Sequence, residues 1–210
     1  MIGPIAAKDN NRVAYLVLLA GPGTNTDQLM LSQRRLMGQS QGLSNAMLDK
    51  TEPAVRDILR AVRTSPDSQQ AVTRIRAVLT NETLQALGAP IAQRDAIAAQ
   101  YSGTWMRYFL KYEPAPFLSR LRVPVLALNG SLDRQVSPGE NLAAMRVALG
   151  GNRDATITEL PGLNHLFQTA VTGSTTEYET IAETFAPSAM DVVSGWIVAR
   201  FGTGSARAKR

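Results

Sequence analysis

The sequence contains no cysteine and only one histidine, His165. The chain can therefore form no disulfide and has no thiol nucleophile, and several-histidine or thiolate zinc sites are excluded. No apolar run approaches the ~20 residues that a membrane-spanning helix requires. The chain begins MIGPIAAK, and the apolar segment there is too short and is interrupted too early to resemble the hydrophobic region of a signal peptide. We therefore expect a cytoplasmic protein with no membrane partner, while a secreted or periplasmic location stays open if a leader precedes this sequence.

Positive charge is only slightly in excess, with 22 Lys and Arg residues against 17 Asp and Glu residues. Arg207, Lys209 and Arg210 supply three of the five net positive charges, and they lie in a final segment, 203–210, that we predict to be a disordered basic tail. The rest of the chain is too weakly basic to indicate a nucleic-acid partner. Hydrophobic residues at 44% and charged residues at 19% are typical of a globular protein, so a packed core is expected.

Three short apolar segments predict buried parallel strands, each followed by turn residues. They are residues 13–20, 123–128 and 155–160, and the alternation in the third favours a position near the sheet edge. A helix is predicted between the second and third strands, with Ser137 in a capping-box position and Gly150 after its end. A last helix is predicted over residues 187–200, with Met190, Val193 and Ile197 facing the sheet. The predicted fold class is therefore α/β.

A long stretch without a strand signal separates the first two predicted strands. Between residues 26 and 117 the apolar positions follow helical spacing, as in Val55, Ile58, Leu59 and Val62. We interpret this stretch as a large helical insertion that covers a site as a cap. A separate helical bundle domain is the alternative. The resulting division is a core segment at 1–25, a helical cap at 26–117, a second core segment at 118–202, and the tail.

An acid and the only histidine each follow a predicted strand. Asp133 comes after the strand at 123–128, and His165 comes after the strand at 155–160. Because ligands of open α/β sheets bind at the carboxyl ends of the strands, these two loops are expected to converge there. A carboxylate beside an imidazole fixes its tautomer and stabilises the imidazolium that forms when histidine accepts a proton. Asp133 and His165 are thus candidate acid and base of a nucleophile–base–acid triad.

The nucleophile of such a triad has no obvious counterpart, because the sequence contains no G-x-S-x-G elbow. Ser131 lies in the acid turn itself, where no oxyanion donors are expected, and Ser137 is better explained as a helix cap. Ser102 and Ser119 lie in or beside the helical stretch with no elbow around them. None of the four is expected to replace an elbow serine.

An aromatic cluster precedes the second predicted strand. Trp105, Tyr108 and Phe109 recur at helical spacing, which favours packing between cap and core. The alternative is that they form an apolar wall for the acyl or aromatic group of a substrate, and on that basis they are candidate substrate-binding residues.

Several of these segments resemble the α/β-hydrolase superfamily, in particular bacterial serine esterases and peptidase-like hydrolases. The segment 123–136 (VPVLALNGSLDRQV) resembles the penultimate core strand and acid turn of that family, and 160–168 (LPGLNHLFQ) resembles its histidine loop. Residues 13–23 resemble the strand after the nucleophile helix, and 176–187 with the following helix resemble the family's ending. By this resemblance the chain is the C-terminal portion of the fold, with its last three parallel core strands and a helical cap.

The resemblance implies a serine hydrolase of carboxylic esters or related acyl bonds that needs no cofactor and takes a small acyl substrate. Asp133 would be the acid and His165 the base, and the chain would begin just after the elbow, so that it is expected to be inactive alone. Two alternatives stay open: a non-catalytic protein that binds a ligand or partner, and one half of a complemented enzyme. A partner N-terminal half or a second copy would then pair with the exposed edge of the first strand.

Overall fold

The computed structural model describes residues 2–202, so the predicted tail at 203–210 lies outside the described residues. Along the chain these residues form ten helices, three strands and two short 3₁₀ turns at Ile91–Gln93 and Thr175–Glu177. The helices and strands are α1 (Ile2–Ala7), β1 (Leu16–Leu19), α2 (Thr26–Ser40), α3 (Asn45–Thr64), α4 (Ser68–Val78), α5 (Asn81–Ala86), α6 (Arg94–Ser102), α7 (Thr104–Phe109), α8 (Ala115–Leu118), β2 (Val125–Gly130), α9 (Pro138–Ala148), β3 (Ala155–Leu160) and α10 (Pro187–Phe201).

The chain divides into two compact units. Of the described residues, 2–24 and 114–202 form a sheet unit, and 25–113 form a helical unit. The sheet unit holds three parallel strands in the order β1-β2-β3, with Leu16 paired to Val125 and Val125 paired to Ala155. The protein is therefore a mixed α/β protein whose parallel sheet is flanked by helices.

Alternate residues of the central strand face opposite sides of the sheet, as the pleat requires. Leu126 and Leu128 belong to one buried cluster, which includes Trp196 and Ala189 of α10. Val125 and Ala127 belong to the other cluster, to which α8 and α9 contribute their apolar side chains. All six residues of β2 are buried, because helices cover both faces and a neighbouring strand lies on each side.

The sheet itself was predicted, but two strand boundaries were wrong. The first strand is shorter than the predicted 13–20, since its pairing with β2 runs only from Leu16 to Leu19. The second begins later than predicted and continues through two residues read as a turn, because Asn129 and Gly130 pair with Glu159 and Leu160 of β3. The third strand occupies the predicted residues, at an edge of the sheet.

Two helix features also differ from prediction. Ser137 stands at the N-cap of α9, but its side chain makes no capping bond because its backbone is not in the extended conformation that favours one. In α10, Val193 and Ile197 pack against the apolar cluster of the sheet as predicted, but Met190 is 49% exposed, whereas Ala189 and Trp196 are buried. The buried face of α10 is set by Trp196, whose indole Nε1 donates to Thr156 Oγ1 of β3 at 2.9 Å.

The helical unit has a core of its own. Val55, Ile58, Leu59 and Val62 are buried along one face of α3, as their spacing predicted. They form one cluster with buried residues of the other helices, among them Ile75, Leu79, Leu84, Ala98 and Leu110. Two ion pairs from Arg63 join the beginning and end of this unit, because its guanidinium donates to Asp27 and to Glu113 at 2.7 Å each.

Candidate functional site

Asp133 and His165 lie in direct contact. The imidazole Nδ1 of His165 is 2.9 Å from Asp133 Oδ2, although the two residues are 32 positions apart in the chain. Asp133 follows β2 and His165 follows β3, and the two strands are neighbours in the sheet. The Asp133 side chain is fully buried, whereas 26% of the His165 side chain is exposed. The imidazole is thus held from the inside of the protein and reachable from the outside.

The loop that carries Asp133 wraps its own carboxylate. Oδ1 accepts hydrogen bonds from the backbone N–H groups of Gln135 and Val136, both at 2.8 Å. Oδ2 accepts from the side-chain Nδ2 of Asn129 at 3.2 Å and faces the imidazole. With three donors on its two oxygens, the Asp133 carboxylate is arranged as an acceptor, and this arrangement favours the imidazole tautomer that carries a hydrogen on His165 Nδ1.

The histidine loop is a tight turn organised by Asn164. The fully buried Asn164 side chain accepts hydrogen bonds from Leu166 N and Gln168 N at 2.9 and 3.0 Å. Its Nδ2 donates to Gln168 Oε1 at 2.9 Å, and a bridge between Leu163 and Thr169 closes the turn. These bonds fix the backbone on both sides of His165 and thereby the direction of its side chain.

Phe167 anchors the same turn to the core. Its φ of 59° places it in the left-handed region, which is uncommon for a residue other than glycine. The ring is 2% exposed and stacks on Phe185 at a centroid distance of 5.4 Å. Burial of this aromatic side chain offsets the backbone strain, since a residue held in such a region costs about 1–3 kcal/mol.

Direct bonds join the acid turn to the histidine loop. Ser131 N donates to Leu160 O at 2.8 Å and Leu132 N donates to Leu163 O at 2.9 Å. In the other direction, Gly162 N donates to Ser131 Oγ at 2.8 Å. The two loops therefore form one unit of structure, and the Asp133–His165 contact does not depend on the two side chains alone.

A tyrosine lies beside the acid. Gln135 Nε2 donates to the Tyr178 hydroxyl oxygen at 2.8 Å. Burial raises the pKa of the Tyr178 phenol above its ordinary value; the bond from Gln135 acts against this, and the negative charge of Asp133 adds to it. Tyr178 is therefore an uncharged neighbour of the pair at neutral pH.

Three of the four serines discounted from the sequence have hydroxyl groups engaged in local hydrogen bonds. Ser131 Oγ accepts from Gly162 N, Ser102 Oγ donates to Ala99 O, and Ser119 Oγ donates to Pro116 O. Among residues 2–202, Asp133 is the only hydrogen-bond partner of the His165 ring, so no described hydroxyl contacts Nε2.

The predicted aromatic cluster lies in the helical unit, in α7, whereas Asp133 and His165 lie in the sheet unit. Trp105 and Phe109 stack with their ring centroids 4.9 Å apart, and Phe109 packs against the core of that unit. Trp105 and Tyr108 are 65% and 60% exposed. The cluster is therefore partly core and partly surface.

Sequence reasoning missed the residues that support the pair. Asn129 and Gly130 were read as a turn closing the strand, and Asn164 was not singled out. The only available signal was position. Asn129 immediately precedes Gly130 at the end of a predicted strand, and Asn164 immediately precedes His165 in the loop after the next predicted strand.

No protein-family model, curated protein or solved structure matches this chain. Any assignment of function therefore rests on the fold and on the contact between Asp133 and His165. Within residues 2–202, no group of three or more histidine, cysteine, aspartate or glutamate side chains is placed to hold a metal ion. No helix in the same part of the chain is both long and apolar enough to cross a bilayer.

Proposed function

We propose that Asp133 and His165 are the acid and base of a serine hydrolase of the α/β-hydrolase type, acting on carboxylic esters or related acyl bonds. The observation that carries the proposal is the 2.9 Å contact between His165 Nδ1 and the buried Asp133 Oδ2. The parallel sheet supports it, since both residues follow neighbouring strands and so stand at the carboxyl edge where ligands of α/β sheets bind.

In the proposed reaction, Asp133 holds the hydrogen on His165 Nδ1, so that Nε2 carries the lone pair. Nε2 takes the proton of a serine hydroxyl as its oxygen bonds to the acyl carbon, and the imidazolium then gives that proton to the departing alcohol. A water molecule, deprotonated by Nε2, cleaves the acyl-enzyme and restores the serine. The reaction as written uses no cofactor.

In this proposal the serine comes from polypeptide other than these 210 residues, either an N-terminal segment of the same protein or a separately encoded half. Two observations support it: the sequence has no G-x-S-x-G, and no described hydroxyl contacts Nε2. The 210-residue chain alone is then expected to be inactive, because the nucleophile and the donors that stabilise the oxyanion would be missing.

The edge of β1 supports the same proposal. Leu16 N and Ala20 N donate to carbonyls on the β2 side, so the alternate backbone groups of Val17 and Leu19 point to the opposite edge. Among the described residues no strand pairs there, and Leu19 is 45% exposed. An unpaired apolar edge is a template for a further strand, and we propose that the elbow-bearing polypeptide supplies it.

We further propose that the helical unit acts as a cap. It is inserted between β1 and β2, and the segment leading into it leaves the carboxyl end of β1, the sheet edge at which Asp133 and His165 stand. Lid segments of this kind exclude water and shape the substrate pocket.

The test is to change His165 to Gln at its native locus and assay the purified protein with p-nitrophenyl esters of increasing acyl length. Gln keeps a polar side chain of similar reach but cannot act as a base, so kcat is expected to fall about a thousandfold or more. The kcat of Asp133→Asn is expected to fall by a similar factor, because an amide in place of the carboxylate no longer favours a hydrogen on His165 Nδ1.

The matched control is Asp154→Asn. Asp154 pairs with Arg200 just before β3, at the end of the sheet remote from the pair, and its loss should leave the rate nearly unchanged. A His165→Gln protein with the rate of the unmodified protein would reject the proposal. An unmodified protein that binds the esters without hydrolysing them would favour the non-catalytic alternative.

A further inference from the structure

Within residues 2–202, Asn129 is the only side chain other than His165 that is hydrogen-bonded to the Asp133 carboxylate. It is fully buried at the end of β2, and its Nδ2 lies 3.2 Å from Oδ2, the oxygen that faces the imidazole. Its second hydrogen bond goes to the carbonyl oxygen of Val136 at 3.0 Å. The amide thus spans the acid turn, from the carboxylate to the backbone where that turn ends.

The orientation of this amide is determined by its neighbours. Both partners of Nδ2 are acceptors, so a flipped amide would place its oxygen against two other oxygens. In the orientation observed, Asn129 Oδ1 is buried and has no hydrogen-bond partner among the described residues. An unsatisfied buried acceptor is unfavourable, and such groups persist in native proteins where another requirement holds the side chain in place.

From this geometry we infer that Asn129 is a positioning residue, which holds Asp133 Oδ2 towards His165 and so keeps the imidazole in the Nδ1–H tautomer. Because the carboxylate is planar, the two backbone donors on Oδ1 and the Asn129 Nδ2 donor on Oδ2 oppose the same rotation about the Cβ–Cγ bond. Of these three donors, only Asn129 Nδ2 acts on Oδ2, the oxygen that faces the imidazole. The catalytic meaning of the inference rests on the proposed function, whereas the tautomer can be measured without any reaction.

The single histidine makes the measurement direct. In protein labelled with ¹⁵N-histidine, only His165 contributes imidazole signals, and the two nitrogen shifts report which nitrogen carries the hydrogen. We expect the unmodified chain to show the Nδ1–H tautomer with a slowly exchanging Nδ1–H proton. Asn129→Ala should lose that slow exchange and populate both tautomers.

The matched control is Asn141→Ala. Asn141 is also fully buried in the sheet unit, where its side chain accepts from Gly23 N and Thr24 N and donates to Ser137 O. It touches neither member of the pair, so its removal should weaken folding while the His165 signals stay those of the unmodified chain. Asn129→Ser, whose hydroxyl is too short to replace Nδ2, gives the same test if the alanine variant does not fold.

Unchanged tautomer and exchange in folded Asn129→Ala or Asn129→Ser would overturn the inference. In the active protein the same variants should lower kcat about tenfold with little change in KM, because the base is misplaced while the substrate pocket is intact. The Nδ1–H tautomer in the unmodified chain, together with no esterase activity in the unmodified protein purified from its native locus, would contradict the proposed function and leave the role of Asn129 standing.

Discussion

The carbonyl oxygen of Leu163 lies 2.2 Å from the point that a Cβ on Gly130 would occupy. Two further backbone atoms, Leu163 C and Asn164 O, lie within 2.7 Å of the same point. The histidine loop therefore packs directly on the backbone at the end of β2. This close approach brings the loop of Asp133 and the loop of His165 together.

Gly130→Ala is expected to separate the two loops. The atoms that its methyl group would meet belong to backbone and cannot move aside, so a loss of about 1–3 kcal/mol in the free energy of unfolding is expected, with loss of the slowly exchanging Nδ1–H signal of His165. Denaturant melts and the histidine NMR spectrum measure both effects. Gly139→Ala is the control, because a Cβ there meets no atom within 4 Å. Retention of the signal in Gly130→Ala would contradict the close packing.

Asn164→Ala is expected to disorder the histidine turn. The change leaves the N–H groups of Leu166 and Gln168 without their acceptor, at a cost of about 1–3 kcal/mol. Asn152→Ala is the comparison, since that side chain also makes three hydrogen bonds, to Leu121 O, Val123 O and Asp154 N. Both variants should lower the melting temperature, but only Asn164→Ala should alter the exchange of the His165 ring proton. Equal His165 signals in both variants would show that Asn164 serves stability alone.

Tyr112 should make the helical unit sensitive to alkali. Burial raises the pKa of its phenol to about 12, against an ordinary value of 10.0. Because the pKa of this phenol is higher in the folded state than in the unfolded state, its contribution to the free energy of unfolding is fully present below pH 10 and is lost as the pH rises towards 12. The free energy of unfolding of the unmodified chain should therefore fall more between pH 9 and pH 11 than that of Tyr112→Phe. Parallel slopes for the two proteins would contradict this assignment.

Arg63 should couple to Asp27 more strongly than an ordinary surface pair does. Arg63 also binds Glu113, and hydrogen bonding to Asp27 raises the pKa of its guanidinium. All three side chains are about one-third exposed or more, so a double-mutant cycle should give only about 0.5–1 kcal/mol, decreasing with added salt. The control cycle is Arg60 with Asp57, a more exposed pair one turn apart, where a smaller coupling is expected. Equal couplings in the two cycles would remove any special role for Arg63.

Local pattern was sufficient for the elements whose signals are local. Val55, Ile58 and Val62 were predicted to share a buried face, and they do, because helical spacing alone decides which side chains lie together. The third strand was placed at its observed residues for a similar reason, since an apolar segment bounded by turn residues has few alternatives. Where another segment set the boundary, prediction failed, as at Asn129 and Gly130, whose strand conformation follows from pairing with β3.

For the candidate site, the sequence alone predicted which acid and which histidine would meet, and tertiary structure decided how they are held. An acid and a histidine after successive strands must reach the same sheet edge, so Asp133 and His165 could be chosen from position alone. The donor from Asn129, the missing Cβ of Gly130 and the turn built on Asn164 could not be foreseen. Each depends on distances of a few ångströms between groups in separate loops. Such distances are fixed only when the strands pair and the loops pack, since local pattern carries no information on long-range register.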